Sequence, residues 1–487
     1  MKIFRPGERP SWAVSLIPFI VLVAALALVI KVFGTGALDG GSQVALMFGA
    51  AVVVAISLIF YKIPWSVFEK SILENITAVG TSILILLLIG AVSGSWMISG
   101  VVPTMIFYGM KVIFPEIFLF ATCIISALIA VMTGSSWTTI ATVGVALVGI
   151  GTAQGYEPGW IAGAIISGAY FGDKVSPLSD TTVLASSTAG TPLFTHIRFM
   201  MVTTVPSFLI TLVIFLIVSL MHEAPSAAQV ADISNDLKNS FNISPWLLLV
   251  PVITALLIIK KVSAIVTLFI AAFIAGITAL FFQPHIIASV ANGGIADPTT
   301  GLSFLEGFKG LFISYYGSTA IETGNLALND LVATRGMTGM LGTVFLIIAA
   351  GTFGGTLVGS GMLQSLTDML TKFIKRRVTM VASTVGTGIF ANMVTGDQYL
   401  SIILTSSLYK NLYEKRGYEN KLLSRSVEDS ATVVSVLIPW NSCGMTQATV
   451  LKVATLEYLP YCFFNLLSPL MSIFIAAIGY KIVRKSK

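Results

Sequence analysis

Thr133-Gly134-Ser135-Ser136 and Thr395-Gly396-Asp397-Gln398 are one quartet written twice, 262 residues apart. Gly155-Tyr156-Glu157 returns as Gly417-Tyr418-Glu419 and Pro177 as Pro439, both at that same offset. Gly90 and Gly100 match Gly351 and Gly361 after a slip of one residue. A single offset shared by separated motifs, in a chain with no low-complexity tract, marks an internal duplication. In a very apolar chain such duplication points to secondary transport, where two related halves enclose one substrate site.

The chain is apolar enough for that reading. Hydrophobic residues make up 55% of its 487 residues and charged residues 10%, too few charges to cover a soluble protein of this length. Runs such as 11–30, 79–92, 205–221, 262–282 and 338–358 have lengths that span or nearly span a bilayer. The N-terminal run is followed by further spans and has no small-residue cleavage site, so it reads as a span and not as a signal peptide. Cys123, Cys443 and Cys462 lie in apolar segments without metal or redox spacing and read as buried small hydrophobes.

The pattern predicts an all-α integral membrane protein of about ten transmembrane helices plus two re-entrant hairpins, with an inverted-topology repeat and two broken helices. Spans are expected at 11–33, 42–61, 78–99, 157–190, 198–221, 245–260, 262–283, 337–360, 424–451 and 457–480. Hairpins are expected at 116–151 and 378–410, each folded at its Thr-Gly tip. Amphipathic stretches near 64–77, 102–114, 304–334 and 363–377 are expected at the interface. Residues 1–221 form the first half, 222–244 an outward connecting loop, and 245–487 the second half.

Basic residues set the orientation. With the N-terminus inside, the inner segments hold most of them, including Lys2, Arg5, Arg9, Lys260, Lys261, Lys372, Lys375, Lys415, Arg425, Arg484, Lys485 and Lys487. The outer segments hold only Lys31, Lys111, Lys238, Lys309, Arg335 and Lys452. Both termini are therefore expected in the cytoplasm. The first Gly-Tyr-Glu loop has no Lys or Arg and reads as outside; the second sits among Lys410, Lys415, Arg416, Lys421 and Arg425 and reads as inside. Equivalent loops on opposite faces mean inverted topology. The dispersal of the basic residues argues against a nucleic-acid partner.

Helix breaks at membrane depth survive only where they line a protein cavity. Each half offers two: Thr133-Gly134-Ser135-Ser136 and "GDKVSPLSDTT" (172–182), then "TGDQY" (395–399) and "IPWNSCG" (438–444). Gly permits the turn, Pro interrupts the helix, and Thr133, Ser135, Ser176, Ser179, Thr181, Thr395, Asn441 and Ser442 supply neutral polar groups. The ends of half-helices suit small ions of either sign.

Asp173, Asp180, Asp397, Glu428 and Asp429 fall in or beside these breaks. An ionisable group at membrane depth costs at least about 2.5 kcal/mol on insertion scales, so these are the candidate cation and proton sites. Asp180, Asp397 and Asp429 are the expected Na⁺ ligands. A carboxylate that takes either Na⁺ or H⁺ is the minimum physics of an antiporter. Lys174 is expected either to pair with Asp173 or Asp180 or to hold an organic anion, and Glu428 either to face the site or to lie at the interface beside Arg425. Trp137, Trp160 and Trp440 read as packing or interface anchors, and His196 and His222 as surface residues; His285 is given no role. No GxxxxGK[ST] nucleotide motif is present, which argues against primary active transport.

At these motifs the chain resembles the NhaC family of bacterial sodium/proton antiporters, part of a wider ion-transporter superfamily. "GDKVSPLSDTTVLASSTAGT" (172–191), "TGDQYLSIIL" (395–404), "SRSVEDSATVVSVLIPWNSCG" (424–444) and "YLPYCFFNLLSP" (458–469) carry the resemblance. It implies a homodimer in the bacterial cytoplasmic membrane, with a scaffold domain and a mobile transport domain working by elevator-like alternating access. It implies Na⁺/H⁺ exchange without a cofactor and without enzymatic activity. Some members of the family instead couple these ions to malate and lactate or carry amino acids, so a small organic anion or amino acid is the alternative substrate. A channel would show continuous pore-lining helices, which the paired interruptions contradict.

Overall fold

Segments this apolar can satisfy their backbone in lipid only as helices. The computed structural model of the protein describes residues 9–33, 40–222, 227–260, 262–293, 302–319, 321, 329, 332–371, 374 and 376–481. Among the described residues the one β-pairing is an isolated bridge between Thr319 and Thr334. Nine described helices are long and apolar enough to cross a membrane, or eleven if two bent pairs each count as one span. Trp12–Phe33, Gly41–Tyr61, Gly80–Ile98, Leu193–Met221, Ala264–Phe282 and Gly336–Gly359 lie where spans are expected.

Four segments depart from expectation. The stretch 222–244 contains a helix, Ala227–Ser240, instead of a plain loop. Its Ile233 and Leu237 stand one turn apart and pack into the main core, which a reading of its polar residues misses. The span expected at 245–260 is short and turns 89° from that helix. The last span is kinked by 57° between Tyr461 and Phe463. Val101–Val112, expected at the interface, buries Val102, Ile106 and Phe107 inside the protein. The anchors Lys2, Arg5, Lys261, Lys372, Lys375, Arg484, Lys485 and Lys487 lie outside the described residues.

Both hairpins fold back on themselves. In the first, Phe118–Thr133 is followed by Ser136–Ala153, and a Cβ on Gly151 would stand 2.6 Å from Cε1 of Phe118, at the far end of the partner arm. In the second, Arg377–Thr395 is followed by Gln398–Lys415. There the Tyr409 hydroxyl meets Ser383 Oγ at 2.8 Å and Thr387 Oγ1 at 2.9 Å, and Tyr413 meets Thr384 at 3.0 Å. Gly168 and Gly172 let Pro158–Val175 lie backbone to backbone on Phe118–Thr133, since a side chain at either would collide with the carbonyls of Cys123 and Ala127.

The first broken span runs Pro158–Val175, then Asp180–Ala189. The second runs Asn420–Val427, a π-helical turn Glu428–Thr432, a 3-10 turn Ser435–Leu437, and then Ser442–Leu451. Such interruptions free carbonyls that lipid cannot satisfy, and side chains take them up. Asn392 donates to the Ala431 carbonyl at 2.7 Å, Gln398 to Thr432 at 2.8 Å, Asn465 to Val433 at 2.7 Å, and the Tyr458 hydroxyl to Val436 at 2.8 Å.

Candidate ion-binding site

The two hairpin tips share one backbone device. Gly134 and Gly396 end their helices in the left-handed region, at φ 66° and 64°. In the first tip Thr133 Oγ1 accepts from the Ser135 amide at 3.2 Å, donates to the Ser135 carbonyl at 3.1 Å and meets Thr139 at 3.2 Å. In the second, Thr395 Oγ1 accepts from the Asp397 amide at 3.2 Å, donates to the Asp397 carbonyl at 3.0 Å and meets Ser401 at 3.0 Å. Ser135 then caps the following helix by accepting from Thr138 N at 3.2 Å; Asp397 does so from Leu400 N at 2.9 Å.

Between the first tip and the first broken span lies a cavity of about 650 Å³. Thr133, Ser135, Asp173, Asp180 and Thr181 line it, together with Trp137, Gln398 and Tyr399, and its other wall includes Ser82, Ile85 and Ile258. Asp173 is 5% exposed. Its Oδ2 accepts from Ser136 N at 3.1 Å and Ser136 Oγ at 2.7 Å, while its Oδ1 has no hydrogen-bond partner. Asp180 opens the helix after the break, accepts from Thr181 N at 2.9 Å, and receives the Tyr399 hydroxyl at 2.6 Å. Ser179 caps that helix through Thr182 N, and Ser176 Oγ ties the break to the Val131 carbonyl at 2.7 Å. Ser176 and Ser179 therefore build the break but do not line the cavity.

Asp397 is buried one residue behind Gln398, and its Oδ2 accepts from Ser442 Oγ at 3.3 Å. Asn441 caps the last piece of the second broken span through Cys443 N at 3.0 Å and donates to Asn392. Thr395, Asp397, Asn441 and Ser442 thus form one group, adjoining the cavity but outside its lining.

The remaining candidates lie elsewhere. Lys174 pairs with neither Asp173 nor Asp180: its ammonium meets Asp429 across the two halves, both side chains fully buried. The geometry explains the choice, because Asp173 and Asp180 turn to the cavity while Lys174 points away from it. Asp429 Oδ1 also accepts from Thr203 at 3.1 Å, and Arg425 Nε stands 3.8 Å from Oδ2. Asp429, expected as a Na⁺ ligand, thus has Lys174 as its partner here, and neither residue lines the cavity. Glu428 is not interfacial; it is fully buried and neither of its oxygens has a hydrogen-bond partner. His196 is not a surface residue but is buried against Ser424 at 2.8 Å, and His222 stacks on Tyr156 at 3.7 Å.

Sequence reasoning missed Tyr399 and Gln398 as lining residues, although both belong to the TGDQY motif. Burial of Arg425 and the part played by Thr203 carry no local signal, since each depends on a residue brought from another span.

Interrupted helices meeting at an acidic cavity, in an all-helical multi-pass membrane protein, define a secondary active transporter. The chain belongs to the Na⁺/H⁺ antiporter family, whose model matches residues 11–190 and 168–480. The Na(+)/H(+) antiporter NhaC of Bacillus subtilis (strain 168) is 36% identical to it over 88% of this chain and 91% of its own length. The Malate-2H(+)/Na(+)-lactate antiporter of the same strain is 34% identical over 81% of this chain and 80% of its own. The Arginine/ornithine antiporter ArcD of Halobacterium salinarum is 31% identical over 99% of this chain and 95% of its own.

Proposed function

We propose that this protein exchanges Na⁺ for H⁺ across a bacterial cytoplasmic membrane by alternating access. The observation that carries the reading is the cavity itself: two carboxylates, Asp173 and Asp180, face it beside the hydroxyls of Thr133, Ser135 and Thr181. The nearby buried cations, Lys174 and Arg425, both go to Asp429. Carboxylates left without a cation at membrane depth must be neutralised from outside, by a proton or by a metal ion. Na⁺ suits hard oxygen ligands, and the two occupants exclude one another, which couples their movement. Asp397, held on the second tip with Ser442, is the third carboxylate of the site.

Orientation follows from the charge bias. The cavity's wall at Ile258–Ala264 adjoins Lys260, on the side read as cytoplasmic, so this conformer faces inward. On the other side Thr343 meets Thr449 at 2.7 Å and the Lys452 ammonium meets the Ala333 carbonyl, bridging the second broken span to its neighbours. The two hairpins and two broken spans form the moving body, the two halves are related by inversion, and the protein works as a homodimer.

An organic solute coupled to Na⁺ is the second reading. It is favoured by a cavity far larger than one dehydrated ion and by relatives named for malate and lactate and for arginine and ornithine. Purified protein in liposomes under an imposed pH gradient tests both. Na⁺ flux without added solute supports exchange; flux that appears only with an organic solute supports the second reading. No Na⁺-dependent flux under either condition overturns both.

A further inference from the structure

We propose that a second site, apart from the ion cavity, holds the phosphate headgroup of an anionic phospholipid. It is a pocket of about 450 Å³ where the end of Val101–Val112 meets the end of Ala227–Ser240. Lys111 comes from the first helix and Lys238 from the second, and both line it. Their ammonium groups converge on one ring: Lys111 Nζ stands 4.2 Å from the centroid of Phe107, and Lys238 Nζ 5.1 Å. Each is attracted by the ring and repelled by the other. Among the described residues neither ammonium forms a salt bridge. An anion between them relieves the repulsion, and lysine is a common partner of phosphate. Basic side chains are scarce on the face read as outer, yet two of them meet here.

Groups outside the ion site hold this pocket in shape. Phe107 and Phe241, both in its wall, are buried. The loop after Ala227–Ser240 is clasped by the buried side chain of Gln283. Asn242 N donates to Gln283 Oε1 at 3.0 Å, and Gln283 Nε2 donates to the Asn242 carbonyl at 3.0 Å. Asn242 lines the pocket, so this wall is fixed before any ligand arrives. The surroundings select a lipid over a free anion. Val112 and Phe114, just past Lys111, are 73% and 65% exposed, and Trp246, just past the loop, is 69% exposed. In a membrane protein such apolar faces meet acyl chains, and tryptophan marks headgroup depth. A lipid seated here lays its chains on those side chains and its phosphate between the lysines, as basic pockets between membrane helices hold headgroups. Once bound, it ties Ala227–Ser240 to Val101–Val112, which packs at Gly109 against Ile150 of the first hairpin.

The test is lipid binding to the purified full-length protein, delipidated in neutral detergent and followed by native mass spectrometry and thermal unfolding. Dioctanoyl phosphatidylglycerol is the anionic probe; dioctanoyl phosphatidylcholine and inorganic phosphate are the comparisons. Phosphatidylglycerol is expected to bind and to raise the unfolding midpoint, and the other two to do neither at the same concentration. Lys111→Gln with Lys238→Gln should weaken phosphatidylglycerol by at least about tenfold. Lys111→Arg with Lys238→Arg keeps both charges and should weaken it by less than about threefold. Lys31→Gln with Lys309→Gln removes the same charge outside the pocket's lining and should leave binding within about twofold. Equal weakening by that control pair would overturn the proposal, since binding would then follow net charge alone. Phosphatidylcholine binding as tightly as phosphatidylglycerol would overturn it through the charge argument. Inorganic phosphate binding as tightly as the lipid would overturn it too, leaving a site for a free anion.

Discussion

The two hairpin tips are built alike and charged differently. Each has a left-handed glycine, a threonine that brackets the next-but-one residue, and a side-chain cap on the helix that follows. Yet the cap is Ser135 in one and Asp397 in the other. The exchange recurs along the repeat, where Asp173, Asp180 and Lys174 stand opposite Ser435, Ser442 and Val436. The tips also rest on different neighbours. A Cβ on Gly134 would strike the Leu178 backbone of its own half, and one on Gly396 would strike Ala350 of Gly336–Gly359. The two tips share the backbone device and differ in charge, and Asp173, Asp180 and Asp397 each correspond, at the 262-residue offset, to a serine.

The largest effect expected from this asymmetry is on stability. Lys174→Met leaves Asp429 buried without its main partner and should cost about 3–5 kcal/mol, read as a fall in thermal unfolding midpoint in detergent. Val436→Ala, at the equivalent position, should cost only about 1–3 kcal/mol. Equal losses at the two sites would break the comparison.

Next comes transport. Asp397→Asn should reduce Na⁺-driven exchange in proteoliposomes by at least about 100-fold, near 2.7 kcal/mol, with the protein still folded. Ser135→Ala should reduce it by less than about tenfold, because a neutral hydroxyl is lost and not a carboxylate. If the two variants fall together, charge does not distinguish the tips.

Proton competition sharpens the count of carboxylates. A proton occupies the oxygen that Na⁺ needs, so apparent Na⁺ affinity should fall as pH falls, by about tenfold per pH unit where one carboxylate is shared. A slope near two in calorimetric titrations would mean that two release protons together. Affinity independent of pH would remove the competition altogether.

The smallest effect is expected at Tyr399. Its hydroxyl donates to Asp180, so Tyr399→Phe should weaken Na⁺ binding by about threefold to tenfold while leaving the pH slope intact. A changed slope would mean that Tyr399 itself exchanges the proton.

The sequence made the interruptions legible because glycine and proline at membrane depth have a local cause and a local consequence. Gly134, Gly396, Pro177 and Pro439 mark the breaks in the chain and in the structure. What stayed hidden depends on distance. Lys174 and Asp429 are 255 positions apart, so nothing beside Lys174 shows that it ignores the aspartates on either side. His196 sits at a helix start, a place that reads as surface, until Ser424 of another span closes over it. Ala227–Ser240 hides for a different reason: its apolar stripe is one residue wide, too thin to outweigh the polar residues around it.

The amides that hold the second break have a mechanical consequence. Asn392 and Gln398 belong to the second hairpin, one on each side of its turn, and both grip carbonyls of the turn Glu428–Thr432. Pulling that hairpin away from the broken span would strip two carbonyls bare at membrane depth, at several kcal/mol each. The hairpin and the interrupted helix are therefore expected to move together, a displacement of the tip carrying Glu428 and the Lys174–Asp429 pair along with it.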